Sequence, residues 1–217
     1  MIGPGTGLGF CYLTSDVEEG DGENDEGEEG EYTVHSSEGG HGDFTVREEV
    51  DQVVLDYLRE EYRDSEKSKE TNTCTRVSTE RVISGSGITN IYQAIRSSDK
   101  KGLPKTERKI NESIDLSEQS EKAAIIAQYS EKGDPACTLT MKTFSRSLAH
   151  ELGCTICRFL PSGGLYISGG VAAKNPGLIG SRRFWEWVVD RGRLRGIVEG
   201  YPVFFVGRCE GVGVLGR

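Results

Sequence analysis

"GPGTGLGFCYL", residues 3–13, decides how the rest of the chain is read. Its first seven positions hold four glycines and one hydroxyl, and an apolar run follows at once. Glycine allows backbone conformations that expose successive N–H groups, and it lets a phosphate come close without a Cβ in the way. Thr6 can add a hydroxyl donor. The segment lacks the GK[ST] ending of a Walker loop, and a strand follows where a dinucleotide fingerprint would open a helix. An ordinary glycine-rich hairpin turn is the competing reading.

Working outward, "GLGFCYL" (7–13) and "EYTVHSS" (31–37) predict two strands of a hairpin. The turn between them is swollen by "DVEEGDGENDEGEEGE" (16–31), which carries ten acids and no base. Such a stretch cannot bury enough apolar surface to offset its ordering entropy, so residues 15–31 are expected to form a disordered acidic insert. Over all 217 residues the net charge is −9 and only 35% are hydrophobic. Without the insert's charges the remainder carries about +1, so the acidity is local and says little about partners. No basic stripe with interleaved aromatics points to nucleic acid. No run of about eighteen apolar residues and no secretory leader pattern is seen, and a soluble cytoplasmic chain with no membrane partner is expected. A plastid location is the alternative.

The six cysteines are irregularly spaced and read as free thiols. Cys154 and Cys157 form a lone CxxC in a helical pattern with no second ligand pair near it, which favours core packing over a metal site. Beyond the hairpin, Thr45 with Glu48 reads as a capping box ahead of a helix with Val50, Val53, Val54, Tyr57 and Leu58 on one face. "RVSTERVIS" (76–84) reads as a short strand and "ITNIYQAIR" as a helix. Residues 97–119 are charged and turn-rich, an expected surface excursion. Ala123 to Tyr129 predicts a helix stopped near Gly133. Asp134 and Pro135 then open a longer one to about Leu160, carrying His150 as an ordinary satisfied histidine. "GGLYIS" (163–168) predicts a buried strand, Gly169 and Gly170 turn it toward a helix containing "FWEWVV", and "PVFFV" (202–206) predicts a last strand. Strands alternating with helices define an α/β layered domain.

"GPGTGLG", "EGGHGDF" (38–44), "ERVISGSGI" (80–88), "GGLYISGGVAAKN" (163–175) and a terminal "GVLG", in that order, resemble the bacterial-type glucokinase family, closest in wording to its cyanobacterial and algal members. The resemblance covers nearly the whole chain apart from the acidic insert and part of 97–119. It implies an actin-like, ribonuclease-H-like sugar-kinase fold, with residues 1–217 as most of the second, larger domain and incomplete at both ends. It also implies that Glu38, His41 and Glu80 bind glucose and that Gly3, Gly5, Thr6 and Gly7 form a phosphate hairpin. Gly169 and Gly170 become the adenosine turn. ATP and glucose are the implied partners, with magnesium arriving on the nucleotide, and a homodimer is an allowed assembly. The chemistry agrees, because a carboxylate offers two acceptor oxygens to adjacent sugar hydroxyls and a histidine can serve a third. Read without the family pattern, Glu38 and His41 make a polar turn with an N-cap at Asp43 or Thr45, and Glu80 forms a surface ion pair with Arg81.

Two family signatures are not seen: an aspartate-glycine-glycine-threonine hairpin, and an asparagine-aspartate pair whose aspartate takes the sugar proton. A partial chain without its general base is therefore expected, and no catalytic residue is assigned. Cys154 stands where family members often carry asparagine. A repressor-type sugar kinase would show a cysteine-rich zinc motif soon after its histidine, and "GDFTVREEV" has no cysteine. The other rival is a non-catalytic sugar-binding remnant.

Overall fold

A computed structural model describes residues 1–15, 31–63, 76–207 and 212–214. The acidic insert, the polar connector before Arg76 and the terminal "GVLG" expectation fall largely outside them. Strand β1 (Ile2–Pro4) is short yet lies inside a six-stranded sheet of order β3-β2-β1-β4-β5-β6. It runs antiparallel to β2 (Leu8–Ser15) with Gly3 opposite Gly9, and parallel to β4 (Leu165–Ile167) through Ile2 and Ile167. β2 pairs with β3 (Tyr32–Ser37) from Phe10 opposite Ser37 to Ser15 opposite Tyr32. The expected hairpin is present, and Ser15 belongs to it rather than to the insert. β5 (Val203–Val206) runs parallel to β4, and β6 (Val212–Val214) turns back antiparallel, so "PVFFV" is not the last strand. Ile2, Leu165, Ile167 and Val203 are all buried, as central strands covered on both faces demand.

Helix α1 (Glu49–Arg63) buries Val50, Val54 and Leu58 at four-residue spacing. Its start differs from the expected capping box. The Asp51 carboxylate reaches back to accept from the N–H groups of Arg47 (3.0 Å) and Glu48 (2.9 Å), while the Glu48 side chain pairs with Arg146. Residues 76–84 are not a strand: Ser78 makes one bridge to Asp43, and Thr79–Arg81 wind into a 3₁₀ turn. Helix α2 (Gly85–Ser97) follows, its N-cap Ser84 accepting from the Gly87 N–H at 3.0 Å.

Within the 97–119 excursion lies a helix, α3 (Arg108–Leu116), which the sequence reading did not anticipate. Ile114 is fully buried, and the Tyr92 hydroxyl donates to Asn111 Oδ1 at 2.7 Å, fastening α3 to α2. Burial pushes the Tyr92 hydroxyl up to about 12. Helix α4 (Gln119–Glu131) ends before Gly133 at φ +88°. Helix α5 (Pro135–Phe159) matches expectation: Asp134 accepts from the Cys137 N–H at 2.9 Å, and Leu160 closes it in the left-handed region at φ +43°. Phe144, Leu148, Leu152 and Ile156 form one buried stripe along it, each worth roughly 1.5–3 kcal/mol of burial. α5 thereby packs against α2, α4 and α8 (Arg182–Val189), the helix carrying "FWEWVV". Two short helices, α6 (Gly170–Lys174) and α7 (Pro176–Ile179), separate β4 from α8, and α9 (Arg195–Glu199) precedes β5. No described helix is long and apolar enough to cross a membrane. Cys11, Cys137, Cys154 and Cys157 are free thiols.

His150 is half-buried, and its Nδ1 accepts from Arg191 at 3.3 Å. Burial first, then the charges of Arg47, Arg191 and Arg146, push it down to about 3 from its ordinary 6.5. The unfolded chain takes up this proton below 6.5, whereas the folded chain refuses it until about 3, so the group destabilises the fold progressively across that window as pH falls. Urea midpoints measured from pH 7 to pH 4 should fall more steeply for the parent than for His150→Gln.

Candidate active site

Three segments far apart in sequence meet at the hairpin between β1 and β2. The hairpin tip is closed by the Gly5 N–H donating to the Gly7 carbonyl at 2.8 Å, which leaves Thr6 exposed at the apex. Space above Gly5 is open, since a Cβ there would meet nothing within 4 Å. From one side, the first residue of α2 ties in: the Gly85 N–H donates to the Gly5 carbonyl at 2.8 Å. From another, Ser168 donates its N–H to the Ile2 carbonyl at 2.9 Å, and Gly169 lies against Pro4. Gly169 has φ +97° and ψ 156°, a region open in practice only to glycine, and a Cβ there would stand 2.5 Å from the Pro4 carbonyl oxygen. At Gly170, by contrast, an added Cβ would meet nothing within 4 Å.

The "EGGH" segment winds into a 3₁₀ turn, Gly39–His41, with the His41 N–H donating to the Glu38 carbonyl at 2.9 Å. This brings the Glu38 Oε2 to 3.6 Å from the His41 Nε2, with both side chains exposed. The turn rests directly on β2, because a Cβ on Gly40 would come within 2.2 Å of the Leu8 carbonyl oxygen. Only a bare α-carbon permits that approach. The alternative N-cap roles for Asp43 and Thr45 are not seen: Asp43 instead pairs with Arg76, whose guanidinium also donates to the His41 carbonyl. The Thr79 N–H donates to the Gly42 carbonyl at 2.8 Å, and the Phe44 N–H to the Val77 carbonyl at 2.9 Å, lacing the turn to the segment that carries Glu80.

Glu80 sits on that 3₁₀ turn, not at a strand end. Its Oε2 accepts from the Leu8 N–H at 2.9 Å and lies over Gly7, 2.5 Å from where a Cβ would stand. It is not paired with Arg81, whose guanidinium stacks over the Tyr62 ring at 4.4 Å. Glu38 and His41 are therefore adjacent to each other, and Glu80 faces the hairpin carrying Gly3, Gly5, Thr6 and Gly7. Gly169 and Gly170 approach the same hairpin from β4. Sequence reasoning missed Arg76, which fixes the "EGGH" turn, and Ser84, whose hydroxyl donates to the Glu80 carbonyl at 2.7 Å and caps α2. The serine before "GSGI" was a readable N-cap signal; nothing local marked Arg76. Among the described residues no cluster of three or more carboxylate, histidine or cysteine groups could hold a metal ion.

The six-stranded β3-β2-β1-β4-β5-β6 sheet, with a glycine hairpin between β1 and β2 and turns converging on it, has the actin-like, ribonuclease-H-like sugar-kinase fold. Solved structures agree: a glucokinase from an Antarctic psychrotroph superposes with a TM-score of 0.66 at 25% identity, covering 94% of this chain and 52% of that one. A glucokinase from Balamuthia mandrillaris in complex with glucose superposes at 0.62, covering 97% and 49%, and at 15% identity it supports the fold alone. The glucokinase family model matches residues 1–217, and the chain belongs to the glucokinase family. The glucokinase of Synechocystis sp. is 31% identical over all of this chain and 56% of its own length. That of Nostoc punctiforme is 32% identical over all of this chain and 58% of its own. The chain thus spans little more than half the length of these curated relatives.

Proposed function

We propose that this chain is the larger domain of a glucokinase, gripping glucose with Glu38, His41 and Glu80 while the 3–7 hairpin and Gly169–Gly170 receive ATP. The reaction is transfer of the γ-phosphoryl group of ATP to the 6-hydroxyl of glucose. One observation carries the reading: the "EGGH" turn, the Glu80 turn and the hairpin all meet at Leu8, through Gly40 against its carbonyl and Glu80 on its N–H. A sugar held by the first two would lie beside a phosphate held by the third. Catalysis of this type depends on positioning and on backbone donors that face phosphate charge. The exposed Glu38–His41 pair supplies acceptor oxygens and an imidazole for sugar hydroxyls, and once dehydrated it would reject analogues lacking one.

Glu38→Gln removes the charge from those hydrogen bonds and should weaken glucose binding by about 10- to 100-fold while changing ATP binding less than about twofold. Calorimetry with each ligand separately checks this, and equal loss of both counts against the assignment. A coupled glucose-6-phosphate assay, run on this chain beside a version extended upstream in the reading frame, tests the reaction itself.

A further inference from the structure

The loop leaving His41 runs through Thr45 and Arg47 into α1, and there it lines a cleft of about 30 Å³ with Asp51 and, from α5, Ser147, His150 and Glu151. One water needs about 10–15 Å³ of such space, so the cleft seats about two waters and, being open to solvent on one side, would receive the inward-facing oxygens of an oxyanion rather than enclose it. Its acids are already engaged. Asp51 accepts from two backbone N–H groups and from Arg146, and Glu151 pairs with Arg158 at 2.6 Å. Its donors are not. Arg47 makes no ion pair or side-chain hydrogen bond among the described residues, and neither the Thr45 nor the Ser147 hydroxyl has a partner among them. Ser147 is only 8% exposed, and its hydroxyl, which is not among the fully buried unpartnered atoms, opens to the cleft. Because His150 Nδ1 accepts from Arg191, the neutral ring carries its proton on Nε2 and is one more donor. A guanidinium, an imidazole N–H and two hydroxyls line this hollow beside the carboxylates of Asp51 and Glu151, whose charges are answered by Arg146 and Arg158.

We propose that this cleft binds a phosphate-class oxyanion, either inorganic phosphate or the head group of a phosphate monoester. Arg47 supplies the charge and a forked pair of donors, and Ser147, Thr45 and His150 complete the shell. Burial first, and then the charges of Arg47, Arg191 and Arg146, hold His150 neutral, and an anion would relieve the second of these. The site stands apart from the hairpin, and it shares with the sugar turn the loop from His41 to Arg47.

Imidazole ¹H–¹⁵N correlation spectra test the proposal, since the chain has three histidines, His35, His41 and His150. Phosphate added at pH 7.5 should shift the His150 signals saturably, while sodium chloride at equal ionic strength should not. Arg47→Gln should weaken this binding at least tenfold, and Arg47→Lys, which keeps the charge and loses the fork, should fall between. Arg47 is exposed, so these variants keep the parent's urea midpoint. Glycerol phosphate binding tighter than inorganic phosphate identifies a monoester site, and equal or weaker binding identifies an inorganic one; either upholds the proposal. His150 signals unmoved by both anions, a shift confined to His41, or Arg47→Gln binding as tightly as the parent would each overturn it.

Discussion

Arg146→Met is expected to destabilise the protein by about 3–5 kcal/mol, the cost of leaving a buried charge without its partner. Arg146 is 1% exposed in the middle of α5 and is held by Asp51 and Glu48. The two partners are not equivalent. Glu48 is half exposed and can turn to water, whereas the Asp51 side chain is 3% exposed and would keep its charge out of water with two backbone N–H groups as its remaining hydrogen-bond donors. Arg146 Nε itself has no hydrogen-bond partner among the described residues, so the pair carries an unsatisfied polar atom even in the parent. Most of the loss should therefore belong to Asp51, and the double variant Arg146→Met/Asp51→Asn should recover a large part of it, because asparagine can still accept from the N–H groups of Arg47 and Glu48 without a charge. Urea unfolding of the two single variants and the double closes the cycle. A double variant no more stable than Arg146→Met alone would mean that lost packing along α5, not the stranded carboxylate, sets the cost.

The second large effect separates two neighbouring glycines. Gly169→Ala places a Cβ 2.5 Å from the Pro4 carbonyl oxygen and forces alanine into a backbone region with φ +97° and ψ 156°. Strain of this kind costs on the order of 1–3 kcal/mol, and the clash adds to it. Relief requires β4 and β1 to separate where the hairpin begins, so ATP binding should fall at least tenfold while glucose binding changes little. Gly170→Ala, with no neighbour within 4 Å and no left-handed φ, should remain within about 0.5 kcal/mol of the parent. Calorimetry with ATP and thermal unfolding of both variants give the comparison. Equal behaviour of the two would show that the turn is loose and that the close approach to Pro4 does not hold the hairpin.

Much of this architecture is written locally. The antiparallel pair β2–β3 follows from two apolar runs, and α5 from Asp134, Pro135 and a four-residue apolar repeat; each signal lies within the element it specifies. What was misread depends on distant partners. "RVSTERVIS" has strand-like composition, yet a single bridge between Asp43 and Ser78 and the hydrogen bonds that tie Thr79 to Gly42 and Val77 to Phe44 coil it into a 3₁₀ turn. The helix Arg108–Leu116 hides among charges because only Ile114 is fully buried, and its docking rests on Tyr92, a residue of another helix. Glu48 fits a capping box by spacing, but Arg146, ninety-eight positions away, takes its carboxylate. In the site, the "EGGH" and glycine motifs were legible as residue types. The orientation of Glu80 toward Leu8, and the anchoring of His41 by Arg76, were not, since they join segments whose proximity only the completed sheet creates.

That sheet also dictates an order of assembly. β1 is three residues long and interior, and its parallel neighbour is supplied by Ile167. During synthesis on the ribosome the β1–β3 meander must therefore wait, half its central seam unmatched, until nearly the whole helical layer has emerged. Most helix–helix contacts join segments nearer in sequence than Ile2 and Ile167, even though Arg146 reaches back to α1, whereas the seam closes the longest loop and is formed late, a high contact order that slows folding. Over that interval the nascent strands are exposed to wrong partners, and a chaperone that shields them would raise the yield of native protein more than one that acts on the helices.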